Sequence, residues 1–413
     1  MGFAKSWAAI EASRGYGSSE KSVCPGHVDD PVLKQLISDY ATEASCSYCD
    51  RRGADEEPIA TSFEDFMGLF MAGVRHFYAR ADDEAVLRDE GEYVGADIYA
   101  SEDVADDAFL HALNDHPDAA QDELLEDIRA AMVPDSWVRT NWLWPTHHER
   151  LSDGWKAFKE LVKHQTRFLF IRWPQDHSDH WGEMSPVEFF DSLAKLLDNL
   201  PELIVDLDAP IYRGRMYLEE PDLKTVEVKD LGPAPIDKAA ANRMSPAGIS
   251  MFYGAKDVHT AVAEIGAHSS HSWAVIGEFT APMVLRVIDL SNLPLLPSIF
   301  DSNEKSKARY EAVSFLRSFV KELTLPIVLD GREHIDYVPT QVFTEFLRYA
   351  FPEPLDGMLF PSAQSTGRNV VLFSGPGTCA APDSVGPDTR LVLTAGSIKK
   401  YRVTTVIKPT VGT

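Results

Sequence analysis

The hydrophobic period of this chain changes near Pro201, and that change limits the folds it can adopt more than any other feature. Before it, apolar residues recur every three or four positions, the period of a helix with one buried stripe. After it, they come as short runs broken by proline and glycine, the pattern of strands between turns. SFEDFMGLFMAGVRHFYARA (62–81) places Phe63, Phe66, Met67, Phe70, Met71 and Val74 on one stripe, with Ser62 as N-cap. SPVEFFDSLAKLLDNL (185–200) opens on Ser185 as cap, Pro186 at the first helical position and Glu188 three residues past the cap. SDGWKAFKELVKH (152–164) is amphipathic in the same way, and 104–113 and 119–132 are weaker helices.

Beyond Pro201, LIVDL, APIYRGRMY, SWAVIGEFTA, MVLRVIDL, LPIVL, DGMLF and NVVLF read as strands. Two helices interrupt them, at 257–268 and at 338–351 with Thr340 as cap. The expected class is α+β: a helical N-terminal part, then a mixed and mostly antiparallel sheet domain. Composition divides the chain into a polar, cysteine-bearing segment 1–60, a helical domain 61–200 and a sheet domain 201–413, which its length can supply with real cores.

The formal net charge is −25, which argues against a nucleic-acid surface. Between Asp82 and Asp127 there are seventeen acidic residues against one arginine, Arg88, and this reads as a solvated helical face. No apolar run reaches the roughly 18 residues of a membrane span, and the N-terminus lacks a signal-peptide pattern, so a cytoplasmic chain is expected. Three of the four cysteines sit close together. Cys24-Pro-Gly-His27 and Cys46-Ser-Tyr-Cys49, separated by eighteen residues, have the spacing of two knuckles closing on one tetrahedral zinc. Such a closed four-ligand site would be structural. Cys379, in GPGTCAAP, reads as a loop thiol without a role.

Three segments carry residues suited to chemistry: IYRGRMY (211–217), NRMSPAGISMFYGAKDVHTAVAEIG (242–266) and the stretch 336–373. Arg213 or Arg243 could bind a phosphate or carboxylate through a planar fork of donors. Tyr253 could stack on a planar ring with its hydroxyl left to water. Glu264 stands in the apolar helical stretch TAVAEIG, where a carboxylate needs a partner or a purpose.

These segments, in order, resemble the RES family. YRGR, LGPAP (231–235), RMSPAGISMFYGA, TAVAE, VPTQVFTEF and DGMLFPS carry the likeness over roughly residues 205–385. The cysteine pairs, the helix at 62–81, DEGEY (89–93) and WKAFKELVKHQTRFLF (155–170) resemble the helical HEPN-like domain found before some RES domains, although His27 stands where a cysteine is expected. The resemblance implies an ADP-ribosyltransferase-like fold that consumes NAD. It assigns Arg213 and Arg243 as the family's arginines, with Arg215 as alternative to Arg213, Tyr253 as its tyrosine, Glu264 as its glutamate, and Ser362, or Ser365, as its serine.

What it implies for mechanism is loss of nicotinamide through an oxocarbenium-like state offset by Glu264, with the arginines on pyrophosphate or incoming inorganic phosphate, Tyr253 on the nicotinamide ring and Ser362 on amide or ribose. Phosphate, water and a protein side chain all stay open as acceptors, the last making the chain a protein ADP-ribosyltransferase. An antitoxin or trigger protein and a homo-oligomer are the partners it suggests. A ribonuclease in the helical half would use Arg172 and His177 of RWPQDH, but Pro174 disfavours a helix interior there and the acidic charge repels RNA.

Overall fold

Ser62 accepts a hydrogen bond from the Asp65 amide and starts a helix at Phe63, and the six stripe residues that follow are all buried. This element belongs to a computed structural model that describes residues 9–54, 57–113, 117–170, 184–267, 269–326 and 331–404. Two compact units make up the chain. The first comprises Met1–His148 with Leu295–Ser314, the second Glu149–Pro294 with Phe315–Thr413.

Among the described residues the first unit holds four whole helices: α1 (Pro31–Asp39), α2 (Phe63–Phe77), α3 (Ser101–His111) and α4 (Ala119–Ala131). Local chemistry sets their starts. Asp30 caps α1 ahead of Pro31, and Asp118 with Gln121 forms a capping box on α4. Phe63, Phe66, Phe70 and Phe109 fill the core, joined by Phe300, whose ring centroid lies 6.1 Å from that of Phe70. Gly73 makes room for that ring, since a Cβ there would stand 2.4 Å from Phe300 Cε1. The α2 stripe ends sooner than its sequence suggests. Tyr78–Arg80 leave the helix to pair with Ser136–Arg139, which also pairs with Tyr99–Ala100. The acidic stretch is more than a solvated face. Asp106 holds Arg129, Asp107 accepts from the Tyr78 hydroxyl at 2.7 Å, and Asp127 accepts from the Tyr48 hydroxyl at 2.6 Å.

In the second unit, α5 (His147–His164) and α6 (Pro186–Asp198) stack Trp155, Phe158 and Phe189 against one another. The Ser185 cap, Pro186 and the Glu188 box occupy the expected places. Among the described residues three long helices interrupt the strands, α7 (Val258–Gly266), α8 (Glu304–Thr324) and α9 (Val338–Tyr349), beside two single turns at Val228–Leu231 and Glu333–Asp336. The 21-residue α8 corrects the expectation of two. Its apolar residues Val313, Leu316, Phe319, Val320 and Leu323 do recur at helical spacing and are buried. Residues 304–314 of α8 belong to the first unit and 315–324 to the second. Thr340 is not the cap of α9. The helix starts two residues earlier, and the Thr340 hydroxyl donates to the Tyr337 and Arg243 carbonyls.

Among the described residues ten strands form the sheet of this unit: β1 (Ile204–Leu207), β2 (Ile211–Tyr217), β3 (Phe252–Ala255), β4 (Trp273–Thr280), β5 (Leu285–Asp289), β6 (Gly357–Pro361), β7 (Arg368–Leu372), β8 (Cys379–Ala380), β9 (Leu391–Leu393) and β10 (Lys399–Arg402). Their order is β8-β9-β4-β2-β3-β7-β6-β5-β1, with β10 pairing the start of β4. All pairs are antiparallel except β5–β6 and β8–β9. The β3 strand, inside the NRMSPAGISMFYGA block, was not legible as one because Pro246 and Gly248 precede its four residues and Gly254 is among them. Of LPIVL, residues 327–329 lie outside the described residues. Cys379 sits in β8 rather than in a loop, packed against the Leu231–Phe252 core.

Gly214 lets α7 lie close on the sheet. A Cβ at this position would stand 2.3 Å from the Val275 carbonyl oxygen and 2.3 Å from Ile276 Cδ1, and 3.2 Å from Ile265 Cδ1 on α7. The contact with backbone cannot be relieved by a rotamer change. Gly214→Ala is therefore expected to destabilise the second unit by about 2–4 kcal/mol. A denaturant midpoint unchanged from the parent chain would show that the strands part without strain.

Candidate active site and candidate metal centre

The ends of β2, β3 and β7, the α7 helix and the loop leaving β6 enclose a cavity of about 330 Å³. Arg213, Arg243, Tyr253 and Glu264, singled out on separate sequence segments, all line it, with Asn369 and Tyr337. Arg215, two residues along β2, does not.

Glu264 comes from α7, which Asp257 caps by accepting from the Thr260 amide at 2.8 Å. Its Oε1 accepts the Ser362 hydroxyl at 2.5 Å and the Asn369 amide at 2.7 Å, while Oε2 accepts none from the described residues. The partner demanded by a carboxylate in an apolar stretch is thus present. Of the two candidate serines it is Ser362 that reaches Glu264. Ser365 turns away to Thr260, 2.8 Å between hydroxyl oxygens.

Both arginines are anchored on backbone. The Arg213 Nε donates to the Leu231 carbonyl at 2.8 Å and its Nη1 to the Tyr253 carbonyl, and its guanidinium lies 5.1 Å over the Phe252 ring. Burial, with Arg215 nearby, holds its pKa down to about 10, so it stays a cation at neutral pH. Arg243 donates through Nη1 to Leu323 and through Nη2 to Leu325, both at 2.7 Å, and thereby satisfies carbonyls at the C-terminal end of α8. Each guanidinium has five N–H donors, so both keep donors for an anion, now rigidly aimed. The wet hydroxyl expected of Tyr253 is corrected: it lies 2.8 Å from the Ser245 hydroxyl, and burial pushes its pKa up to about 12.

Asn369 was not singled out from the sequence. It sits at the second position of NVVLF's strand, where alternation predicts only burial, and it is 9% exposed.

In the first unit, Cys24, His27, Cys46 and Cys49 converge, with their four ligand atoms all within 4.8 Å of one another. The sulfurs of Cys24 and Cys49 are 3.8 Å apart and Cys46 Sγ is 3.3 Å from His27 Nε2. A tetrahedral ion with bonds of about 2.3 Å to sulfur and about 2.0 Å to nitrogen requires edges of about 3.8 and about 3.5 Å, so the donor set fits one. Burial holds the His27 imidazole below its ordinary pKa, leaving it neutral with a lone pair to give. The pairing of Ser22–Val23 with Thr61–Ser62 and the Ser47 amide on the Ser22 carbonyl bring the knuckles together. These four residues can hold a metal. No helix among the described residues is long and apolar enough to cross a membrane. Arg172 and His177, the ribonuclease pair, lie outside the described residues.

Comparison with known proteins places two matches on the chain. Residues 39–176 match the model of HEPN/RES N-terminal domain 1, and residues 228–394 match that of the RES domain. The second match holds Arg243, Tyr253, Glu264 and Ser362, while Arg213 lies before it. No curated protein matches the sequence. Among solved structures, the M. tuberculosis MbcT–MbcA toxin–antitoxin complex aligns at 14% identity and a TM-score of 0.26, over 51% of this chain and 92% of that one.

Proposed function

For this chain, which carries a HEPN/RES N-terminal domain 1 followed by a RES domain, we propose an NAD-consuming enzyme that cleaves the nicotinamide–ribose bond. The observation that carries this reading is the Glu264 carboxylate, held by Ser362 and Asn369 through one oxygen in a cavity whose wall contains two arginines.

Cleavage breaks the bond between the anomeric carbon and the nicotinamide nitrogen, and the electron pair leaves with nicotinamide. Positive charge gathers on the ribose, and Glu264 offsets it, an interaction that strengthens toward the transition state. The remaining donors of Arg213 and Arg243 suit the pyrophosphate or an incoming phosphate. Tyr253 offers its ring face to nicotinamide, its hydroxyl fixed by Ser245. The acceptor oxygen then bonds to the anomeric carbon and gives its proton to solvent. Loss of NAD damages any cell, so the enzyme is proposed to act as a toxin, partnered by an antitoxin or trigger protein.

Incubating the purified protein with NAD, with and without inorganic phosphate, separates the acceptors. A phosphorolytic enzyme yields phosphorylated ADP-ribose only when phosphate is present, and a glycohydrolase yields ADP-ribose in both. A labelled protein band without either free product would overturn both in favour of ADP-ribosyl transfer to protein.

Zinc is proposed for the cluster of the first unit. Three soft thiolates and one imidazole favour it over hard cations, and four protein ligands leave no open position for catalysis, so its role is structural.

A further inference from the structure

We propose that Asn369 is a positioning residue for Glu264: its amide and the Ser362 hydroxyl fix Oε1 together, so that Oε2 is the oxygen presented to the ribose. The inference rests on the NAD-cleaving reading above and adds to it a residue that acts through the carboxylate.

The geometry points to this in three ways. First, two donors, one at each end of a short loop, converge on a single oxygen, at 2.5 and 2.7 Å. A free carboxylate rotates between equivalent orientations, and paired donors on one oxygen remove that freedom. Of the two ends of the Asn369 side chain, the amide nitrogen must face the carboxylate, because the carbonyl oxygen would repel it.

Second, neither donor can drift. Asn369 lies in the centre of the sheet, opposite Ala255 of β3 and Phe360 of β6. The Ser362 hydroxyl accepts from the amides of Gln364 and Ser365, both at 3.1 Å, which directs its one proton to Glu264.

Third, the loop between the two donors is fastened to the helix that bears Glu264. Ser365 meets Thr260 of α7 at 2.8 Å, and Gly367 packs so tightly there that a Cβ would stand 2.0 Å from the Thr260 hydroxyl. The carboxylate and both groups that orient it therefore sit in one rigid assembly. A neutral donor is needed, since an aspartate at position 369 would set two carboxylates within hydrogen-bond distance, where both cannot ionise easily.

The test is the pH dependence of kcat and KM for NAD in the full chain, comparing the parent, Glu264→Gln, Asn369→Asp and Asn369→Ala, with thermal melts of each. Asn369→Asp, the same size as the parent residue, is expected to move the acidic limb of the profile up by at least about one pH unit, with more than about tenfold activity lost below it and recovered above it. Asn369→Ala should lower kcat by about 10–100-fold with KM within about threefold. A role in folding alone would lower the melting temperature and leave the limb in place. An unmoved limb in Asn369→Asp, or a kcat for folded Asn369→Ala within twofold of the parent, overturns the proposal. Asn369→Asp decides alone if the alanine variant does not fold. The parent and Glu264→Gln keep the two readings apart: parent turnover lost in Glu264→Gln upholds NAD cleavage whatever Asn369 does, and a parent without turnover ends both.

Discussion

Glu264→Gln is expected to lower NAD turnover by about a thousandfold or more while leaving the melting temperature close to that of the parent. The substitution keeps shape and most of the hydrogen bonding. A glutamine carbonyl oxygen at the place of Oε1 still accepts from Ser362 and Asn369. What disappears is the negative charge, which is worth most when positive charge develops on the ribose. Removing a single preorganised electrostatic group from an active site lowers kcat by about 10²–10³-fold, and the full charge facing an oxocarbenium-like centre should lie at or above the upper end. The loss belongs in kcat, because the interaction is stronger in the transition state than with bound NAD. Turnover within tenfold of the parent, measured by nicotinamide release from a folded variant, would remove Glu264 from the centre of the mechanism.

Removing metal from the cysteine cluster should have the second-largest effect, this time on stability. The purified chain is expected to carry about one zinc per chain by elemental analysis, and a strong chelator or Cys46→Ala to lower the melting temperature of the first unit by about 6–12 °C. Only about 3 kcal/mol of linked binding is needed for that, at the roughly 2–4 °C per kcal/mol of a unit this size. Structural zinc sites supply more than that in small domains, so the figure is a lower expectation. The physical reason is local. The loop 46–49 and the turn 25–27 are short and irregular, and Cys24, His27 and Cys46 are buried there with polar atoms turned on one another. Burial pushes the Cys24 thiol up from its ordinary value, so without a cation a thiolate at that position is disfavoured. Trp137, buried in the same unit, provides a fluorescence signal for its unfolding. A preparation free of metal that melts at the same temperature before and after chelation would dismiss the site.

Much of the local structure could be read from residue order. Ser62, Ser185 and Asp257 each start a helix where a side-chain acceptor meets free amides, a contact made between residues three apart in sequence. The strands of the second unit followed from period and turn residues in the same way. Thr340 misled because a hydroxyl can donate as well as accept, and its acceptor, the Arg243 carbonyl, is 97 residues away. The long α8 was legible in principle, because Val313, Leu316, Phe319, Val320 and Leu323 recur at helical spacing between charged residues.

The sequence by itself determined the helix starts, the strand runs, the knuckle spacing and the six ordered motifs in which the RES resemblance resides. Those are properties of neighbours along the chain. Only the tertiary structure decided that Ser362 rather than Ser365 reaches Glu264, that Arg213 and Arg243 are anchored on carbonyls, and that Asn369 completes the carboxylate's surroundings. These contacts join segments from 18 residues apart, between Arg213 and Leu231, to 105, between Glu264 and Asn369, and depend on sheet order and on the close approach that Gly214 permits. Hydrogen bonds fall off within a few tenths of an ångström, so spacing along a chain cannot settle them.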